Sequence, residues 1–225
     1  MSLHVIPGLA VALTLVAGPA VPVSPRSADA STVATALQRK YDTVHDFSAD
    51  FTHSYTGGIL GKTVTEHGRV YVKKPGLMRW EYAAPNKKLF VSDGVKIYSY
   101  IPADRQVIVS SVPPADQATT PTLFLAGKGD LNRDFVATLV DWPGTPPEAE
   151  ALKLVPRHPQ RDYDWLILVV GRQSLQIRRL VTRDAQGGTS SITFTDVKEN
   201  VGMPDRLFTF KIPRGVDVVT DNPQR

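Results

Sequence analysis

Apolar and polar residues alternate along most of this chain, which predicts a protein built mainly from β-strands. Residues 31–46 are the exception, because their apolar side chains recur every three or four positions, as in an amphipathic helix. From Phe47 to Tyr55 the period changes to two, which is typical of a strand. Further strands are expected near 65–73, 77–83, 87–93, 95–101, 105–110, 151–155, 163–170, 174–183, 189–198 and 206–212. Many short strands joined by tight turns favour an antiparallel sheet or barrel.

A second helical region interrupts the series of strands at residues 119–135. Thr120 is a candidate N-cap, and Pro121 suits a first helical turn. Gly127 and Gly129 end this segment, and the sequence predicts another short helix that starts near Asp130. We therefore expect a mostly β fold covered by short helices.

The N-terminal residues have the features of an export signal. An apolar stretch runs from Val5 to Val23 and is interrupted by proline and glycine, and the small residues Ala28 and Ala30 follow it. We expect residues 1–30 to be a cleaved signal peptide and residues 31–225 to form a single domain. The mature protein would then lie in the periplasm and would not be membrane-integral.

Composition argues against several classes of function. The chain has no cysteine, and its net charge of +4 is spread along its length, so neither a thiolate metal site nor a nucleic-acid surface is indicated. The histidines are scattered, and no nucleophile elbow, phosphate-binding loop or zinc-protease motif is present. We expect no catalytic residues, no metal and no cofactor.

The strands between residues 70 and 102 suggest an apolar lining instead. Met78 and Trp80 share one face of a strand, and we expect Leu89 and Val91 to continue that lining. Phe51 and Trp165 are further candidates. The predicted lid segment would add the apolar side chains Leu123, Phe124 and Leu125. An ordinary packed core would give the same pattern, so periodicity alone leaves both interpretations open.

Several segments of the chain resemble the LolA-type carriers of outer-membrane lipoproteins. They are DFSADFTHS, GRVYVKKPGLMRWEYAAP, VSDGVKIYSYIP, TPTLFLAG and FTFKIPRGVDVV, which occur in the family's order over almost all of residues 31–225. The resemblance implies an unclosed antiparallel β-barrel capped by short helices. It also implies a monomeric periplasmic carrier that takes acylated lipoproteins from an inner-membrane ABC transporter and delivers them to an outer-membrane receptor of the LolB type. The lining residues above would then enclose acyl chains.

The resemblance also suggests how the lid is held. In the family, an arginine just before the turn proline donates hydrogen bonds to the lid backbone, and the matching position here is Lys74, before Pro75. A lysine can donate but lacks the planar fork of arginine. Arg79 is a second candidate, and a plain surface role for Lys74 is the alternative.

The carrier interpretation requires that the folded protein keeps an apolar hollow unfilled by its own side chains. The alternative function is a regulatory or lipoprotein-sensing interaction module on the same half-barrel, which a fully packed interior would favour.

Overall fold

The computed structural model describes residues 29–57, 61–112, 125, 127, 129–160, 163–184 and 186–220. Almost all of the predicted signal peptide therefore lies outside the described residues. Two α-helices are present, α1 at Ala30–Asp42 and α2 at Leu131–Asp134. The strands are β1 Asp46–Thr56, β2 Thr63–Lys73, β3 Leu77–Tyr82, β4 Lys88–Asp93, β5 Lys96–Ile101, β6 Gln106–Ser111, β7 Phe135–Val140, β8 Ala149–Pro156, β9 Trp165–Gly171, β10 Ile177–Arg183, β11 Thr189–Glu199 and β12 Asp217–Thr220.

All twelve strands belong to one sheet. Their spatial order is β12-β6-β5-β4-β3-β2-β1-β11-β10-β9-β8-β7, and every pairing is antiparallel except that of β12 with β6. Within the described residues the end strands β7 and β12 do not pair with each other, so the sheet is curved but unclosed. The predicted fold class, an unclosed antiparallel half-barrel with few helices, is confirmed.

Helix α1 is shorter than its predicted span of 31–46. It starts after Asp29 and ends at Asp42, and the N–H groups of Thr43 and Val44 close its last turn. Asp46 already belongs to β1, where its carboxylate accepts hydrogen bonds from successive N–H groups at residues 201–203. These bonds fix the start of the strand and so set the end of the helix.

The two faces of the sheet carry separate apolar clusters. The inner cluster contains most of the buried side chains, including Leu37 of α1. The outer cluster is smaller and lies on β8, β9 and β10, around Ile167 and Val169. Strand β9 supplies buried residues to both clusters, so the sheet is covered on two sides there.

One predicted strand is wrong. Residues 206–212 do not form a strand, because Asp205–Phe208 is a 3-10 helix and the chain after it is extended without ladder pairing. We call residues 203–210 the outer strap, since they cross the outer face over β3 and β4. Phe208 is buried there and Arg79 donates to the carbonyl of Leu207. Strands β7 and β12 were not predicted.

Candidate functional site

The inner face of the sheet holds a cluster of aromatic side chains. The ring of Phe51 lies edge-on to Trp80 at 5.1 Å and to Tyr82 at 4.9 Å between ring centroids. Phe194 and Phe90 extend the cluster on either side, with centroids 6.3 Å from Trp80 and 5.7 Å from Tyr82. This arrangement gives the middle of the inner face a continuous apolar surface.

Gly68 makes room for this cluster. It pairs with Phe51 across β1 and β2 and with Tyr82 across β2 and β3. A Cβ atom at residue 68 would lie 2.6 Å from Cζ of Phe51 and 2.1 Å from the carbonyl oxygen of Glu81. Only glycine therefore lets the Phe51 ring lie flat against this part of the sheet.

Helix α1 covers one part of the inner face. Its buried side chains are Val33, Ala34, Leu37 and Tyr41, and they belong to the inner cluster. Leu125, which lies in the predicted lid segment, is 1% exposed and joins the same cluster. We call α1 together with Leu125 the inner cover.

Lys74 connects the inner cover to the sheet. Its Nζ donates a short hydrogen bond to the carbonyl oxygen of Tyr41 at the end of α1, and it lies 3.4 Å from the centroid of the Tyr41 ring. The Tyr41 hydroxyl in turn donates to the carbonyl oxygen of Leu125. The Lys74 stem also lies against Gly127, where a Cβ atom would come within 2.9 Å of it. Lys74 thus contacts the lid region, and its ammonium is bonded to α1.

Burial changes the protonation of both groups. Loss of solvent lowers the pKa of Lys74 to about 8, although the nearby carboxylates of Asp42 and Glu199 act in the opposite direction. Burial, with a smaller effect from Glu199, raises the pKa of Tyr41 well above its usual value. The Tyr41 hydroxyl is therefore protonated at neutral pH and can donate to Leu125.

The described interior is filled by side chains. The cavity between Tyr41, Phe47, Leu125 and Phe194 has a volume of about 30 Å³, which is room for one or two water molecules. The expectation of a vacant apolar hollow is therefore wrong for the described residues in this closed form. An acyl chain could enter only if the inner cover moves.

The predicted lining residues divide between the two faces. Phe51, Met78, Trp80 and Leu125 are buried together in the inner cluster. Leu123 and Phe124 lie outside the described residues. The placement of Leu89, Val91 and Trp165 on the same lining needs correction, because the structure puts these three on the outer face.

The error at Leu89 and Val91 comes from the turn between β3 and β4. Tyr82 pairs with Lys88, so residues 83–87 form the turn and Trp80 faces Phe90. Side chains opposite each other share a face, hence Phe90 continues the inner lining. Val91 lies opposite Arg79, whose guanidinium reaches the outer strap.

The error at Trp165 has a different origin. Strand β9 is apolar on both faces, so its sequence does not show which parity faces inward. Leu166 and Leu168 belong to the inner cluster, whereas the Trp165 ring packs edge-on to Trp142 at 5.6 Å on the outer side. The register of β9 with β10 decides the matter, and that register is a tertiary property.

Sequence reasoning missed four inner residues, Tyr41, Tyr82, Phe90 and Phe194. Tyr82 was in the alternating pattern with Trp80 and could have been named from it. Tyr41 was read as an ordinary helix residue, since its bond to Leu125 joins residues that are far apart in sequence.

A model of the family described as "Outer membrane lipoprotein carrier protein LolA" matches residues 42–211. The chain belongs to the LolA family. The outer-membrane lipoprotein carrier protein of Chromohalobacter salexigens is 31% identical over 80% of this chain and 83% of its own length. That of Bordetella avium is 33% identical over 78% of this chain and 81% of its own.

Solved structures support the fold assignment. An uncharacterized conserved protein from Thermus thermophilus aligns with 84% of this chain and 99% of its own, with a TM-score of 0.50 and 14% identity. At that identity the likeness concerns the fold alone.

Two further searches of the described residues concern membranes and metals. None of the helices in the described ranges has the length and apolarity needed to span a bilayer. No group of three or more potential metal-ligating side chains occurs in that part of the LolA-family chain.

Proposed function

We propose that this LolA-family protein binds the acyl chains of lipoproteins on the inner face of its sheet and carries them between membranes. The observation that carries the proposal is the family match over residues 42–211, together with relatives named as outer-membrane lipoprotein carriers. The inner face supports it because its aromatic cluster is covered by one separable helix and not by a second sheet.

Magnitudes are consistent with displacement of the inner cover by cargo. Exposing Val33, Leu37 and Tyr41 of α1 would cost about 5–9 kcal/mol. Burying one acyl chain of about fifteen methylenes returns roughly 12 kcal/mol. Three fully buried chains would exceed the limit of about 18–21 kcal/mol for non-covalent binding, so we infer that the cargo is only partly enclosed.

The remaining steps follow from this role. Residues 1–30 would direct the chain to the periplasm, where the protein would act as a monomer. An inner-membrane ABC transporter would supply the acylated lipoprotein, and a LolB-like outer-membrane receptor would accept it. Lys74 would hold the closed form through Tyr41, and Phe51, Met78, Trp80 and Leu125 would contact acyl chains after opening.

Native mass spectrometry of the protein purified from its own periplasm tests the proposal. We expect a fraction of the protein to carry a co-purified polypeptide with the mass of an acylated lipoprotein. As a matched control, a cargo whose acylated cysteine is replaced by serine should not co-purify. Protein that is always free of acylated polypeptide, even with the transporter overproduced, would refute the carrier role.

The filled interior favours a second candidate, a regulatory or lipoprotein-sensing module. In that case the inner cover would stay closed, and the outer face would bind a partner protein. The same purification distinguishes the two, because a module of this kind would co-purify with an unacylated partner and would exclude acyl chains.

A further inference from the structure

A network of polar side chains lies at one end of the inner face, beyond the aromatic cluster. His53 on β1 bonds through Nδ1 to the hydroxyl of Tyr82 at 3.1 Å and through Nε2 to the hydroxyl of Ser190 at 2.9 Å. Glu66 on β2 accepts from Nζ of Lys88 on β4 at 2.8 Å. Lys88 also lies 5.0 Å from the centroid of the Tyr82 ring, which joins the two pairs.

This polar network faces the same side of the sheet as the aromatic cluster. His53 follows Phe51 by two residues on β1, and Glu66 precedes Gly68 by two on β2, so both point inward. Six residues of strand separate His53 from Phe47, which places the network about 20 Å from the inner cover. Beyond it, the paired residues Tyr55 and Val64 are 40% and 45% exposed, so this end of the sheet reaches solvent.

The polar network is rich in donors and carries no net charge. Lys88 is neutralised by Glu66. Burial lowers the pKa of His53, with opposing effects of Glu66 and Lys88, so the imidazole is neutral at neutral pH. Burial raises the pKa of Tyr82 to about 12, which keeps its hydroxyl protonated. Such a site suits a neutral group with several acceptor oxygens better than an anion.

We propose that the polar network binds the ester and amide carbonyls where acyl chains join the glyceryl-cysteine of a lipoprotein, with the chains extending over Phe51 and Trp80 toward α1. This inference rests on the proposed carrier function and assigns the orientation of the cargo. The hydroxyls of Tyr82 and Ser190 and the ammonium of Lys88 are the donors. The aromatic cluster then covers the apolar part of the same ligand.

A double variant tests the donors. Tyr82→Phe with Ser190→Ala removes two hydroxyls and keeps the aromatic ring. We expect its affinity for a synthetic triacylated cysteinyl peptide to fall about tenfold, as measured by quenching of tryptophan fluorescence. Its affinity for an uncharged alkyl dye should not change. The control Tyr98→Phe removes a hydroxyl that bonds to Asp93 on the outer face and should leave both affinities unchanged.

A change in the ligand tests the same contact without relying on the variant's stability. A peptide with ether-linked chains lacks the ester carbonyls, so we expect wild-type protein to bind it about tenfold more weakly than the ester-linked peptide. The double variant should bind the two peptides equally. Equal binding of both peptides by wild-type protein would overturn this inference and leave the carrier proposal intact. Failure of wild-type protein to bind either peptide or the dye would instead overturn the carrier proposal.

Discussion

The sheet is covered on both faces, but its two covers are attached in different ways. The outer strap is held by ionic and main-chain bonds along its length. Asp46, 4% exposed, accepts from three successive N–H groups, and Lys73 donates to the carbonyl of Met203 and to Asp205. The inner cover relies mainly on apolar packing, with polar ties that include those through Lys74 and Tyr41.

This difference indicates which cover can move. Releasing the outer strap would leave several main-chain donors and a buried carboxylate without partners, which is unfavourable whatever ligand is present. Releasing the inner cover exposes apolar surface, and an acyl chain can cover that surface again. The neighbouring lysines express the contrast, because Lys73 ties down the outer strap and Lys74 ties down the inner cover.

The largest expected effect is at Phe208 of the outer strap. This ring is 1% exposed, so Phe208→Ala should lower the free energy of unfolding by about 3–5 kcal/mol, measured by urea denaturation. Binding of an acyl probe per folded molecule should not change. The control Phe210→Ala removes a half-exposed ring that contacts Tyr98 and Tyr100, and it should cost less. A Phe208→Ala protein with altered acyl binding would contradict the separation of the two covers.

A smaller loss is expected at Asp46. Asp46→Ala removes the acceptor of the three N–H groups at residues 201–203, and we expect about 2–3 kcal/mol less stability in the same assay. Asp50→Ala is the control, since Asp50 is an exposed partner of Arg69 at 3.6 Å and its loss should cost less than about 1 kcal/mol. Equal losses for the two variants would show that Asp46 does not anchor the outer strap.

Much of this arrangement could be predicted from local sequence, and the rest depends on how strands pair. The alternation through Val70, Val72 and Trp80 placed those side chains correctly on one face. Parity could not be carried across the turn at residues 83–87, because a change of one residue in turn length exchanges the two faces of β4.

The outer strap and the polar network illustrate two other limits. Phe208 and Phe210 alternate as in a strand, but they pack on the sheet and do not join it. His53, Glu66 and Lys88 lie on three strands, so only the folded sheet brings them together. Their individual positions in the sequence carry no signal of a shared site.

An intermediate effect, on binding instead of folding, is expected at Lys74. Lys74→Leu removes the bond to the Tyr41 carbonyl and the contact with its ring, which should disfavour the closed form by about 1–2 kcal/mol after allowance for partial exposure. Affinity for an uncharged acyl probe should therefore rise about tenfold. Lys73→Leu, which loses only outer-strap contacts, is the matched control and should bind the probe as wild type does. Unchanged loading and unloading in Lys74→Leu would remove Lys74 from the closing mechanism.

The smallest expected effect is a pH dependence of opening. In the closed form the pKa of Lys74 is about 8, and it returns toward 10.5 if opening exposes the side chain. Between these values the open form binds more protons, so raising the pH favours the closed form. Because Lys74 is only half-buried, we expect a change of about 1 kcal/mol, or roughly fivefold weaker binding of an uncharged acyl probe at pH 10 than at pH 7. Titration of the probe by fluorescence measures this, and Lys74→Leu should show no such slope. A wild-type affinity that rises over the same interval would mean that the protonated lysine, and not its neutral form, is favoured when the inner cover is closed.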